Sequence, residues 1–330
     1  MVEHVGVPQR PPAYAYLLID SKDRYTSLEQ QLVGNEPANK FSIQRGNALL
    51  YGYFTRLAIT QVSFDWKLPT VITGYNDTLL FFNTTTQTLS TLTLPGGYYT
   101  PIGMADELQT QIRTVAGFGA FTVVYDPTQG ALVFDTQGGN SFTFINPYDP
   151  YFGPTLGLTQ SQQANIAKTY VMLGLNGGSI YTSTWQVPQP PPVVPGVVLQ
   201  VANAPNFIYT RYIDIVSKEL TKYQNVKDND TSPQNQLSQV VVRLYTTPPN
   251  TYIPTGEVPG AGTETDPSTT LGDRPFTLCV DYNTPKHIKW NPNEALYNTD
   301  FEVYDEFGDL LPWSLEYPWE FNLTIVASET

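Results

Sequence analysis

The sequence is short of the residues from which most active sites are built. It contains two histidines, His4 and His287, and one cysteine, Cys279, in 330 residues. A zinc site draws on several His or Cys ligands, and neither histidine has another His or Cys close by in sequence. No G-x-S-x-G nucleophile elbow is present. The segments Leu94-Pro-Gly-Gly-Tyr98 and Leu175-Asn-Gly-Gly-Ser179 lack the Lys-Ser/Thr ending of a phosphate-binding loop and read as turns. No metal, cofactor or catalytic residue is expected. A lone cysteine excludes an intrachain disulfide. Its place in the apolar run 276–280 predicts a small buried core residue in a chain that folds in a reducing compartment.

Charge is also scarce. Asp, Glu, Lys and Arg make up 14% of the chain, well below the usual ~25%, so the surface rests on Asn, Thr, Gln and Ser. The balance is acidic, with a formal net charge of -13. Nucleic-acid binding depends on basic patches that displace counterions, so no direct binding of nucleic acid is expected. Lys218, Lys222 and Lys227 cluster in sequence and read equally as a local basic face or as a solvated surface. There is no run of 18 apolar residues, hence no expected membrane span. Residues 1–12 are polar and proline-containing, unlike a secretory signal. Without such a signal the sequons at Asn76, Asn83, Asn229 and Asn322 read as chance matches.

What the chain does have is 41% hydrophobic residues, 22 Tyr and 28 Pro. Tyrosine suits half-buried strands, and proline breaks helices. Strands are predicted at 14–19, 40–43, 48–68, 78–83, 89–94, 121–125, 131–135, 141–145, 168–175, 179–184, 207–216, 240–246, 276–281, 301–304 and 320–326. Many strands at irregular spacing with long loops indicate an all-β sandwich or jelly roll. One helix interrupts them. Thr100 is an N-cap, Pro101 takes the first helical position, and Met104, Leu108, Ile112 and Val115 form one apolar stripe ending before Gly117. With its neighbours this gives a ββαβββ unit, a small α+β insertion expected over 73–157. Residues 1–13 read as an arm, 188–195 (PQPPPVVP) as an extended linker or rim, and 248–274 as a long loop.

Two carboxylate pairs merit attention. Asp300 and Glu302 are alternate residues of one strand, as a glycosidase pair would need if it faced a cleft; chance pairing is the plainer reading. Asp305 to Asp309 reads as a hairpin turn rather than a calcium loop, since it lacks the EF-hand pattern.

Three stretches carry a family likeness. They are Leu18-Ile-Asp20-Ser-Lys-Asp23-Arg24, Leu94-Pro-Gly-Gly-Tyr-Tyr-Thr-Pro with Ala105-Asp-Glu-Leu-Gln, and Asn298-Thr-Asp-Phe-Glu-Val-Tyr-Asp-Glu-Phe-Gly-Asp-Leu-Leu-Pro-Trp313. Together they resemble penton or minor capsid proteins of virophages and Polinton-like double-stranded DNA viruses. The resemblance implies a single jelly roll over 14–72 and 158–330 that carries the insertion. It also implies a homopentamer at the vertex of an icosahedral virion, partnered by a major capsid protein and assembled in the host cytoplasm or nucleus. Asp20, Asp23 and Arg24 match the opening motif, as a local turn network or as assembly contacts. Other readings stay open: a spike binding a host receptor or glycan, with Tyr98, Tyr99, Tyr148 and Tyr151 as its exposed aromatics; a carbohydrate-active jelly-roll enzyme; or a cement protein elsewhere in the shell.

Overall fold

The computed structural model describes residues 14–25, 36–44, 46–149, 156–175, 180–181, 196–208, 210–223, 239–246, 276–292 and 294–329. The expected arm at 1–13, the proline-rich stretch 188–195 and the loop 248–274 lie outside the described residues. In chain order the strands are β1 (Tyr14–Asp20), β2 (Lys40–Gln44), β3 (Arg56–Trp66), β4 (Thr78–Asn83), β5 (Thr88–Thr93), β6 (Thr122–Asp126), β7 (Ala131–Asp135) and β8 (Phe142–Ile145). They continue as β9 (Ile180–Tyr181), β10 (Leu199–Val201), β11 (Tyr212–Val216), β12 (Val240–Tyr245), β13 (Phe276–Asp281), β14 (His287–Lys289), β15 (Asn298–Tyr304) and β16 (Phe321–Ser328). The helices are α1 (Pro101–Arg113), α2 (Gln160–Leu173) and the single turn α3 (Lys218–Thr221).

The chain divides into two compact units, one holding the described residues of 14–68, 212–246 and 276–329, the other those of 69–211. In the first unit, one sheet has the order β1-β16-β3-β13, with β14 beside β3, and the other β12-β11-β15-β2. Leaving out the short β14, these are eight antiparallel strands. The first pairs with the last, the second with the seventh, the third with the sixth and the fourth with the fifth. This is one long hairpin rolled into two sheets, the jelly-roll topology. The inner faces meet through aromatic rings: Phe41 on β2 and Phe301 on β15 lie 5.8 and 5.9 Å from Phe321 on β16. Phe64 on β3 stacks on Trp319 at 5.0 Å.

Strand alternation explains most of the burial and one departure from it. On β3 the inward set switches from Leu57 and Ile59 to Val62, Phe64 and Trp66. A bulge opposite Thr324 and Ile325 inserts one residue and resets the period. The strand expected from residue 48 starts only at Arg56, because 49–50 turn aside to bond Leu296. Cys279, expected in the core, is exposed. Leu278 takes the inward position of β13, so its neighbour must face out.

The second unit is wider than the 73–157 expected for an insertion and begins and ends within the connection from β3 to β11. Its sheets are β5-β4-β8-β9 and β10-β7-β6. Its described core is drawn from residues between Val71 and Phe207, and centres on Phe81, whose ring lies 4.8 to 5.9 Å from Phe118, Phe121, Phe142 and Phe144. Helix α1 has the expected cap: Thr100 Oγ1 accepts from Gly103 N at 3.1 Å, with Pro101 next. Met104, Leu108 and Ile112 are buried.

The strand expected at 168–175 is instead the second half of α2. Its apolar end, Thr-Tyr-Val-Met-Leu, has strand-like composition, but the start signal lies upstream in a polar stretch. Thr159 and Gln162 form a capping box, and Ile166, Tyr170 and Leu173 then share the buried face. Gly174 closes the helix at φ 74°, a conformation that favours glycine. The fully buried Tyr170 hydroxyl lies 2.9 Å from Ile145 O and 3.1 Å from both Leu80 O and Leu80 N, tying α2 to β4 and β8. Burial pushes this phenol far above its ordinary pKa, although the backbone hydrogen bonds with Leu80 and Ile145 act the other way.

Candidate assembly and recognition surfaces

The opening motif folds into a 3-10 turn, Ser21–Arg24, directly after β1. Asp20 caps it, accepting from Lys22 N at 2.8 Å, while Asp23 accepts from Asp20 N at 3.2 Å. Arg24 turns inward and its side chain is almost wholly buried. Its guanidinium donates to Glu320 through both terminal nitrogens, at 2.7 and 2.8 Å. It also donates to Ser21 O at 2.6 Å, Glu36 O at 2.9 Å and the Tyr25 hydroxyl at 2.7 Å. Ser21 Oγ donates to the same Glu320 carboxylate and accepts from Phe321 N. Burial alone would lower the Arg24 pKa; the Glu320 carboxylate outweighs it and raises the value. The motif therefore fastens the end of β1 to the start of β16, and Arg24 is engaged within its own chain.

The acidic pairs are likewise committed. Asp300 accepts from Glu219 N at 2.9 Å, Lys218 N at 3.3 Å and Ser217 Oγ at 3.2 Å, at the start of α3. Glu302 sits against Lys40 at 3.1 Å, Lys218 at 3.5 Å and the Tyr304 hydroxyl. Burial acts to raise the Glu302 pKa, but Tyr304 and the two lysines prevail and lower it. Tyr304, desolvated and beside that carboxylate, is pushed up to about 12. Asp305 Oδ1 accepts from Phe307 N and Asp309 N, each at 2.9 Å, which builds the hairpin turn. His287 is exposed on β14. Among the described residues no three His, Cys, Asp or Glu side chains are grouped to hold a metal. Among them, too, no helix is long and apolar enough to cross a membrane.

Of the four aromatics expected at a recognition surface, Tyr98 and Tyr148 are exposed. Tyr99 packs half-buried on the second unit's core and donates its hydroxyl to Pro95 O at 2.9 Å. Tyr151 lies outside the described residues. The sequon asparagines Asn76 and Asn83 are buried, and Asn76 is spent on Ile72 N and Thr70 O.

Two surfaces were not anticipated. The first is the outer face of β1, where Tyr14, Tyr16 and Leu18 are 64, 73 and 70% exposed while Leu17 and Ile19 fill the core. Among the described strands β1 ends its sheet, so it is apolar on both faces at an edge. The signal was present in the sequence: Tyr-Ala-Tyr-Leu-Leu-Ile has no polar partner for its apolar positions, which is the pattern of a strand covered on both sides.

The second surface is a cleft of about 380 Å³ in the first unit, lined by Tyr51, Gly52, Tyr53, Pro292, Glu294 and Ala295. Leu50 and Phe54 point inward on either side of it, which sends Tyr51 and Tyr53 out to 83 and 55% exposure. Gly52, at φ 150°, lets the chain do this, because a Cβ there would meet the Phe54 ring at 2.5 Å. The opposite wall is set by backbone bonds between Leu50 and Leu296 and by Trp290 Nε1 donating to Glu294 O at 3.1 Å. Lys222 pairs with the Glu294 carboxylate and lies 5.4 Å from the Trp290 ring centre.

No protein-family model and no curated protein matches the chain. Among solved structures it is similar to the selenomethionine-labelled mavirus penton protein, with 10% identity and a TM-score of 0.48 over 96% of this chain and all of that one. It is also similar to a chain of the Sputnik virophage structure, with 13% identity and a TM-score of 0.39 over 97% of this chain and 98% of the other. The assignment of the jelly roll rests on the strand pairing described above.

Proposed function

We propose that this chain is a structural capsid protein whose copies close into a five-membered ring at the vertex of an icosahedral virion, bordered by a major capsid protein. The observation that carries this reading is the outer face of β1. An edge strand of a jelly roll that exposes Tyr14, Tyr16 and Leu18 in a row is an aggregation liability in a protein that works alone. It is the expected surface of a subunit that is covered by a neighbour. A ring needs a head-to-tail interface in which two different patches of the same chain meet, and interface cores favour tyrosine and apolar side chains. The motif likeness at 18–24, 94–109 and 298–313 supports the vertex as the location. The acidic balance suits a coat surface that does not cling to nucleic acid.

The test is mass in solution by light scattering over a range of protein concentration and salt, alone and with the major capsid protein. A mass of five times the 36.8 kDa chain is expected. A stable trimer under all these conditions would reject the ring. The substitution Tyr16→Lys should abolish assembly while leaving the thermal melt of the monomer unchanged.

A further inference from the structure

We infer that the cleft between Tyr51, Tyr53 and Pro292 is a receptor for a polyproline II segment, and that its occupant is the 188–195 stretch of a second copy of this chain. The inference rests on the ring reading for its second copy, but the chemistry of the cleft stands by itself. Proline-rich segments dock into grooves walled by aromatic rings, because the preset extended helix loses little entropy on binding and its rings lie flat on tyrosine faces. The cleft has that composition: two exposed tyrosines spaced i and i+2, held outward by Gly52, against Pro292 and Ala295. Its single charged group, Glu294, is neutralised by Lys222. An uncharged ligand is thereby favoured over an ionic one.

The chain carries such a ligand. Residues 188–195 read Pro-Gln-Pro-Pro-Pro-Val-Val-Pro, five prolines in eight with two P-x-x-P spacings and no charge. They lie in the stretch 182–195, outside the described residues, between β9 and Gly196. Both flanks of that stretch sit on β8, Tyr181 beside Ile145 and Val197 beside Phe142, so at ~3.1 Å per residue a loop of this length can project at most roughly 20 Å. The cleft belongs to the jelly-roll unit and the segment to the sequence range of the other unit, so the two are different patches, as a head-to-tail contact requires.

The experiment is calorimetric titration of the synthetic peptide PQPPPVVP into the full-length chain with its own five prolines at 188–195 replaced by alanine, so that no copy fills the cleft, repeated with a Tyr51→Ser/Tyr53→Ser double variant of that chain and with a peptide whose prolines are replaced by alanine. Both tyrosines are exposed, so the double variant should keep the melt of its parent chain. Saturable binding that weakens about tenfold in the double variant and is lost with the alanine peptide is the expected result. No saturable binding, or binding indifferent to the tyrosines, overturns the inference, as would neutral oligosaccharides saturating the same site while the peptide does not. Light scattering on the wild-type chain separates the two ideas. A ring that forms while the peptide fails leaves the vertex reading intact and removes this one. Peptide binding alongside a wild-type chain that stays monomeric with its capsid partner removes the ring and the second copy with it, and leaves only the polyproline specificity of the cleft.

Discussion

At the residue scale, Arg24 and Glu320 form the clearest lock in the jelly roll. A buried pair broken on one side leaves an unpaired charge, at a cost of ~3–5 kcal/mol. Glu320→Ala should therefore lower stability by about that amount, measured as a shift in the denaturant midpoint. The apolar double replacement Arg24→Met/Glu320→Leu should recover most of it. An equal loss in both would mean that Arg24 acts through its bonds to Ser21 O and Glu36 O rather than through the ion pair. Glu302 makes a different prediction. Its folded pKa is depressed, so its contribution is complete above the ordinary glutamate value and fades as the pH falls through the lower folded one. Glu302→Gln should flatten that acid limb of the stability profile and leave the slope near neutrality unchanged.

At the scale of elements, the caps carry the predictions. Thr100→Ala removes the acceptor for Gly103 N and should cost ~1 kcal/mol. Gly174→Ala is worse: the αL conformation itself costs ~1–2 kcal/mol for an L residue, and the added Cβ would lie 2.1 Å from Asn203 O. Thermal melts of the two variants should rank in that order. The same elements show what was legible in the sequence. Helix α1 could be read because its cap, proline and stripe lie in one window. Helix α2 could not, because its cap sits in the polar run Thr159–Gln162 while its apolar end mimics a strand. The inward-facing Leu278 sends Cys279 outward, a parity fixed by the pairing of β13 with β3 and invisible in composition. The cleft at Tyr51 was missed for a related reason. Residues 48–68 look like one long strand until Leu296, more than two hundred positions away, pulls residues 49–50 out of line. Arg24 stood out in sequence, yet its partner Glu320 lies at the far end of the chain.

At the scale of the whole molecule, the two units differ in how their contacts are strung. The described core of the second unit comes entirely from 71–207. A fragment of residues 69–211 should accordingly fold by itself with one cooperative melt; a broad, non-cooperative melt would show that it leans on the jelly roll. The first unit has no such contiguous source, since β1 pairs with β16 and β2 with β15.

That pairing has a consequence for the order of events during synthesis. β16 lies in the middle of its sheet, between β1 and β3, so β1 lacks its described partner, and β3 has only β13 and β14 on its other edge, until residues 321–328 have left the ribosome. Chains are made at ~5–20 residues per second and domains fold as they emerge, so the 69–211 unit has time to form while β1 to β3 wait. The closing step then joins segments about 300 residues apart, the slow kind of contact. Until it occurs, the outer face of β1 is not fixed. Translation thereby sets a clock on that surface: it arrives in a single late event rather than by degrees.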